Sequence, residues 1–199
     1  MWSCIRAFLA AEVKDVEGRT RFKLKQPSRS FLRNFARVLY GAMYDDANEQ
    51  VTEVVKWDGS TRSFPYLYAV GEEFMATAVG VGGLRRGIAV GNGTKEVAFG
   101  DYDLDSIIAH GTGAGQLYYN KGYLVLEEGS DYAVVKFVRS FDNQSGGIVT
   151  VTEVGLYIHH DHRNDREFRI LVARDLLDPA ITLAPGETLN VRYEIEIRL

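Results

Sequence analysis

The chain has 199 residues, 46% of them hydrophobic, 25% charged and 12% aromatic, which suits one domain with a real core and excludes a disordered or collagenous chain. Its single cysteine, Cys4, excludes an internal disulfide, and no apolar run approaches the roughly 20 residues of a membrane helix. The net charge of −4 is uneven: Gly18 to Tyr44 holds seven basic residues and no acid, which leaves 16 of the 23 basic residues against all 27 acids elsewhere.

The opening segment, MWSCIRAFLAAEVKD, has a short apolar run broken by Arg6 and no basic region before it. It predicts a first strand, Ser3 to Lys14, rather than a signal peptide, and synthesis in a reducing cytosol. A Glu17-Gly18 turn leads to a second strand, Thr20 to Lys25, with Phe22 and Leu24 on one face and Arg21, Lys23 and Lys25 on the other. Pro27 ends it, and Ser28 or Ser30 can cap a helix from about Arg29 to Met43. In that helix Phe31, Phe35 and Leu39 recur every four residues, widened by Leu32 and Val38. Arg29, Arg33 and Arg37 share the same spacing and form a separate basic ridge.

Extended segments are expected at Gln50 to Trp57 and Phe64 to Val70, joined by Asp58-Gly59. Gly71 to Gly115 then holds 11 of the 20 glycines, which favours loops. One short strand (Gly87 to Val90) and a helical turn near Leu104 to Ile108 are expected within it. Five strands follow: Gln116 to Leu126, Asp131 to Phe141, Ile148 to Ile158, Glu167 to Ala173 and Glu187 to Leu199. The last alternates almost ideally, with Leu189, Val191, Tyr193, Ile195, Ile197 and Leu199 on one face. Many short strands with turn signals between them, and no helical pattern separating them, predict a mainly β fold. The expected form is an antiparallel, jelly-roll-like β-sandwich with one N-terminal α-helix.

No catalytic or cofactor constellation emerges. His159-His160-Asp161-His162 has metal-ligand types, but lies where a hairpin should turn, so a polar solvated tip is expected and metal binding by His159, His160 and His162 is left open. Asp101-Tyr102-Asp103-Leu104-Asp105 starts like a calcium loop, yet Ser106 and Thr112 stand where glycine and glutamate are needed. Gly91-Asn92-Gly93-Thr94-Lys95 and Gly111-Thr112-Gly113-Ala114-Gly115 match neither phosphate-binding fingerprint. Gly-x-Ser-x-Gly is absent, and Cys4 has no local base, so it reads as a small buried hydrophobe.

Four segments resemble a pattern in structural proteins of tailed bacteriophages and related viruses. Ser30 to Tyr40, SFLRNFARVLY, is similar to a recurring "SFvrNf..lL" helix. Ile88 to Ile108, IAVGNGTKEVAFGDYDLDSII, resembles "VGtGtt…sDyaLes.I". Ile148 to Tyr157, IVTVTEVGLY, resembles "i.itEvGLf". Ile170 to Ile197, ILVARDLLDPAITLAPGETLNVRYEIEI, resembles "lLaRdvf.pitl.pGetLtVtYti.i". The order is kept across most of residues 30–199, with a lengthened His/Asp hairpin as the departure.

The resemblance implies a virion component, made in the host cytoplasm, with no catalytic, cofactor or metal residues to carry over. The expected function is non-enzymatic: a self-assembling capsid, collar or tail subunit. Its partners are copies of itself and other virion proteins, not a membrane. Residues 1–45 would be a docking element of hairpin plus basic helix, and residues 46–199 a sandwich with a contact loop at 71–115. Arg29, Arg33 and Arg37 are the candidate interface, meeting an acidic neighbour or packaged DNA; the acidic whole argues against wider nucleic-acid binding. The alternative is a receptor- or glycan-binding module at a tail tip or fibre, with Tyr118, Tyr119, Tyr123 and Tyr157 as aromatic platforms. A metal-dependent enzyme built on the histidines is a further rival.

Overall fold

The strict alternation of the last strand places it at the centre of a sheet. In a computed structural model that describes residues 4–28, 31–43, 53–63, 74–75, 80–160 and 168–198, β12 (Thr188–Arg198) lies between β1 (Cys4–Lys14) and β9 (Tyr132–Asp142). It pairs antiparallel with both along its whole length, so Leu189 sits beside Val13 and Phe141, and Tyr193 beside Leu9 and Phe137. β2 (Thr20–Pro27) flanks β1, while β7 (Tyr118–Tyr119) and β8 (Tyr123–Glu128) take opposite ends of β9.

The second sheet is built on β10 (Val149–His160). β11 (Phe168–Leu183) pairs with one side of it, and β6 (Gly87–Gly91) and β5 (Phe74–Met75) with the other. Leu9, Val13, Phe141, Leu189 and Val191 of the first sheet join Val151, Leu156, Ile170 and Leu183 of the second in one buried core. Each such side chain contributes about 1.5–3 kcal/mol. The Tyr193 hydroxyl ties the sheets together by donating to the Val154 carbonyl at 3.0 Å. The fold is thus mainly β and antiparallel, as the strand pattern predicts.

Several details depart from the sequence reading. The one helix among the described residues, α1 (Arg33–Met43), follows β1 and β2 as the order of elements in the sequence predicts, so it does not stand at the N-terminus proper, and it starts four residues late. Phe31 and Leu32 are held extended against the edge of β11, where the Leu32 amide donates to the Val172 carbonyl. Ser28 does not cap the helix; its hydroxyl donates to Asp175 at 2.8 Å. The helix buries Asn34 and Val38 and leaves Phe35 only half-buried, as is Phe31 just before it. No helical turn forms at 104–108, because Ser106 to Ile108 pair with β6 and its end.

The expected strand at 116–126 breaks at Asn120 into β7 and β8. The one at 167–173 runs on to Leu183, since Leu177 to Ala180 bulge out opposite Thr152 and take Pro179 off the ladder. A short hairpin, β3 (Glu53–Val55) and β4 (Thr61–Ser63), surrounds the Asp58-Gly59 turn; the expected strand at 64–70 lies outside the described residues.

The apolar face of β12 is not buried throughout. Beyond Tyr193 burial falls away: Ile195 is half-buried, and Ile197 is 45% exposed beside Ile5 at 75%. The acid-free run is largely neutralised on folding. Arg19 pairs with Asp15 and Glu17, Arg21 with Glu187, Lys23 with Glu12, and Lys25 with Glu194.

Arg139, fully buried in β9, holds the irregular backbone against the first sheet. It donates to the carbonyls of Gly83, Arg86, Ile88 and Asn120 at 2.7–3.0 Å, and lies over the Tyr119 ring. Burial lowers its pKa to about 10. Arg139→Met leaves these carbonyls without their donor and should cost about 3 kcal/mol or more. Urea unfolding should show a lower midpoint at unchanged slope, with faster amide exchange across residues 83–88.

Candidate functional site

Alternation along β10 puts Glu153, Gly155 and Tyr157 on one face, and the segment 91–106 is seated on that face. The buried Glu153 carboxylate accepts the amides of Gly93 (3.2 Å), Asp105 (3.2 Å) and Ser106 (2.8 Å). A Cβ at Gly91 or Gly93 would stand 2.5 Å from its Oε1, so only glycine allows this approach. Gly155 makes room for Leu104, whose side chain would lie 2.9 Å from an added Cβ. The Tyr157 hydroxyl accepts the Leu104 amide at 3.0 Å and donates to Asp103.

Gly155 is also the direct neighbour of Arg174 on β11. With no side chain opposite, the Arg174 guanidinium leans diagonally to Glu153 and donates through Nε at 2.8 Å. It reaches Asp101 through Nη1 at 2.7 Å, and the carbonyls of Lys95 (2.8 Å) and Glu96 (3.4 Å). Burial works against the cation, but Glu153 and Asp101 outweigh it and raise its pKa. Burial likewise opposes ionisation of Asp101, yet the Ala98 amide, Arg174 and Lys95 prevail and hold its pKa below 3.8. Burial and the Asp103 charge push the Tyr157 phenol well above its ordinary value, so it stays a neutral donor.

In front of this network lies an open cleft of about 300 Å³, bordered by Trp57, Lys95, Tyr102 and the acids Asp101, Asp103 and Asp105. Each acid already has partners. Asp103 takes Arg85 through both oxygens, and Asp105 accepts the amides of Thr94 and Lys95. Arg85 sits at φ +55°, a conformation that favours glycine, with its guanidinium 4.3 Å over the Trp57 ring. Among the described residues no three His, Cys, Asp or Glu side chains group as metal ligands. What this arrangement does chemically is fasten a loop to a sheet.

The residues singled out from sequence are scattered. Arg33 is exposed at the start of α1, its guanidinium 5.4 Å from the Phe99 ring; Arg37 is half-buried on the same helix; Arg29 lies outside the described residues. His159 and His160 do not form a solvated tip. They extend β10 between β5 and β11, and the His159 side chain is buried; His162 lies outside the described residues. Of the four tyrosines proposed as platforms, Tyr119 and Tyr157 are fully buried, and Tyr123 is exposed.

The sequence reading missed Glu153, Arg174 and Arg139. Their signal was present as charges inside otherwise apolar strands: VTVTEVGLY, ILVARDLL and AVVKFVRSF. Comparison with known proteins returns no matching family model, no similar characterised protein and no similar solved structure.

Arg174→Met strips a buried carboxylate of its countercharge and should cost about 3–5 kcal/mol. Removing both charges, Arg174→Met with Glu153→Leu, should recover part of that loss in a double-mutant cycle. Because the Asp101 pKa is lowered in the fold, its contribution is complete above the unfolded value of 3.8 and disappears as pH falls through the folded value. Asp101→Asn should therefore be less stable than wild type at neutral pH, and the gap should close in acid, as read from urea midpoints between neutral and strongly acidic pH.

Proposed function

We propose that this chain is a non-enzymatic structural subunit of a tailed-virus particle, assembling with copies of itself and with other virion proteins in a capsid, collar or tail. The observation that carries this reading is where the resembling residues sit. The segments similar to phage structural proteins supply Asn34, Gly91, Gly93, Asp101, Glu153, Gly155 and Arg174. Those from 91 onward form the network that seats segment 91–106 on β10. Asn34, from the helix segment, is buried between β3 and β11, exchanging hydrogen bonds with Val55 and donating to Leu171. What the segments share is therefore a set of fastenings for irregular backbone. A protein whose task is to present a rigid surface to its neighbours needs such fastenings, and they leave its buried acids and bases engaged with one another.

The basic ridge is the docking element of this reading. Arg19, Arg21, Lys23 and Lys25 are neutralised within the chain, while Arg33 and Arg37 have no acidic partner among the described residues. Arg33 also opens α1 with no acidic residue in its first turn, where a cation opposes the helix dipole. An acidic neighbour would offset that local cost.

Native mass measured across a concentration series at two salt levels tests the reading. A discrete oligomer that weakens with salt is expected, because exposed charge pairs are screened. Charge reversal at Arg29, Arg33 and Arg37 together should leave the monomer folded and abolish assembly. Unchanged assembly would remove the ridge from the interface, and a monomer under every condition would count against self-assembly.

A further inference from the structure

We propose that β8 is a self-pairing edge, along which two copies of the chain join antiparallel into one continuous sheet. The inference rests on the self-assembly reading and names the surface. Tyr123 to Glu128 pair with β9 in unbroken register, and among the described residues no strand lies on the other side of β8. Open edges are normally blunted by charge, proline or a bulge. The opposite edge of the same sheet follows that rule, since β2 carries Arg21, Lys23, Lys25 and Pro27. β8 does not. Tyr123, Leu124 and Leu126 are 54%, 53% and 59% exposed, and no charge interrupts the run before Glu127.

The sequence of β8 is complementary to itself about Val125. A twofold axis there sets Leu124 opposite the second copy's Leu126 on the apolar face, and Tyr123 opposite its Glu127 on the polar face. Lys121, exposed just before the strand, then lies diagonally across from the same glutamate, which already pairs with Lys136 of its own chain and would be shared between the two cations. Each of these three contacts occurs twice, so strand hydrogen bonds, apolar contact and opposite charge agree in one register. A second copy is the partner that supplies all three at once.

The test uses the full chain with Cys4→Ser. Val125→Cys places one thiol on the axis, and Lys23→Cys on β2 serves as the control. Under mild oxidation Val125→Cys should become a disulfide-linked dimer on non-reducing gels, and Lys23→Cys should stay monomeric. In parallel, Leu124→Lys with Leu126→Lys should reduce the native mass of the assembly while the unfolding midpoint holds. If the double variant keeps the wild-type oligomer and Val125→Cys does not cross-link, copies meet elsewhere: this inference falls and the assembly reading stands. A wild-type chain that stays monomeric at every concentration overturns both.

Discussion

Glu153 and Arg174 sit on neighbouring strands with almost no access to water, and the order of the segment around them follows from that pair. Removing two charges from solvent costs several kcal/mol per ion, which attraction alone does not return. The balance is met because the remaining donors and acceptors also find partners. Three loop amides approach Glu153, and Asp101 with two loop carbonyls approaches Arg174. Those partners all come from residues 93–106, so the ion pair is satisfied only while this segment lies on β10. A glycine-rich stretch with little regular structure is thereby made part of the sandwich.

Arg139 solves the same problem on the other sheet by a different chemistry. Among the described residues it has no carboxylate partner, and it uses carbonyls from residues 83–88 and 120 instead. Backbone that leaves a β-ladder still carries its donors and acceptors, and buried ones must be paired. Two arginines on facing sheets meet that requirement for two stretches of non-repetitive chain. Both are long, planar and multiply donating, which suits them to collecting several carbonyls at once.

The surface follows a related division. The charged face of β2 is matched by acids from β1, β12 and the turn before it, so the dense basic segment contributes to the cohesion of the first sheet. Features unmatched among the described residues lie elsewhere: Arg33 and Arg37 on α1, the edge of β8, and the exposed apolar pair Ile5 and Ile197. Under the assembly role proposed above, these are the places where a partner would reduce free energy most.

Period-two patterning was legible without a structure, because a strand with one buried face must alternate. β1, β2, β9, β10 and β12 all fall within a few residues of where the pattern puts them. The glycine density of 71–115 announced irregular backbone for an equally local reason. The tertiary structure alone decided what that backbone is fastened to, since Asp101 and Arg174 meet across 73 residues of sequence. It also decided that His159 is buried, because β5 and β11 flank a segment whose composition suggests a turn. The start of α1 was decided by the edge of β11, which holds Phe31 and Leu32 extended. Local sequence sets which conformations are inexpensive, but the pairing of buried charges and open edges depends on which distant strands arrive beside them.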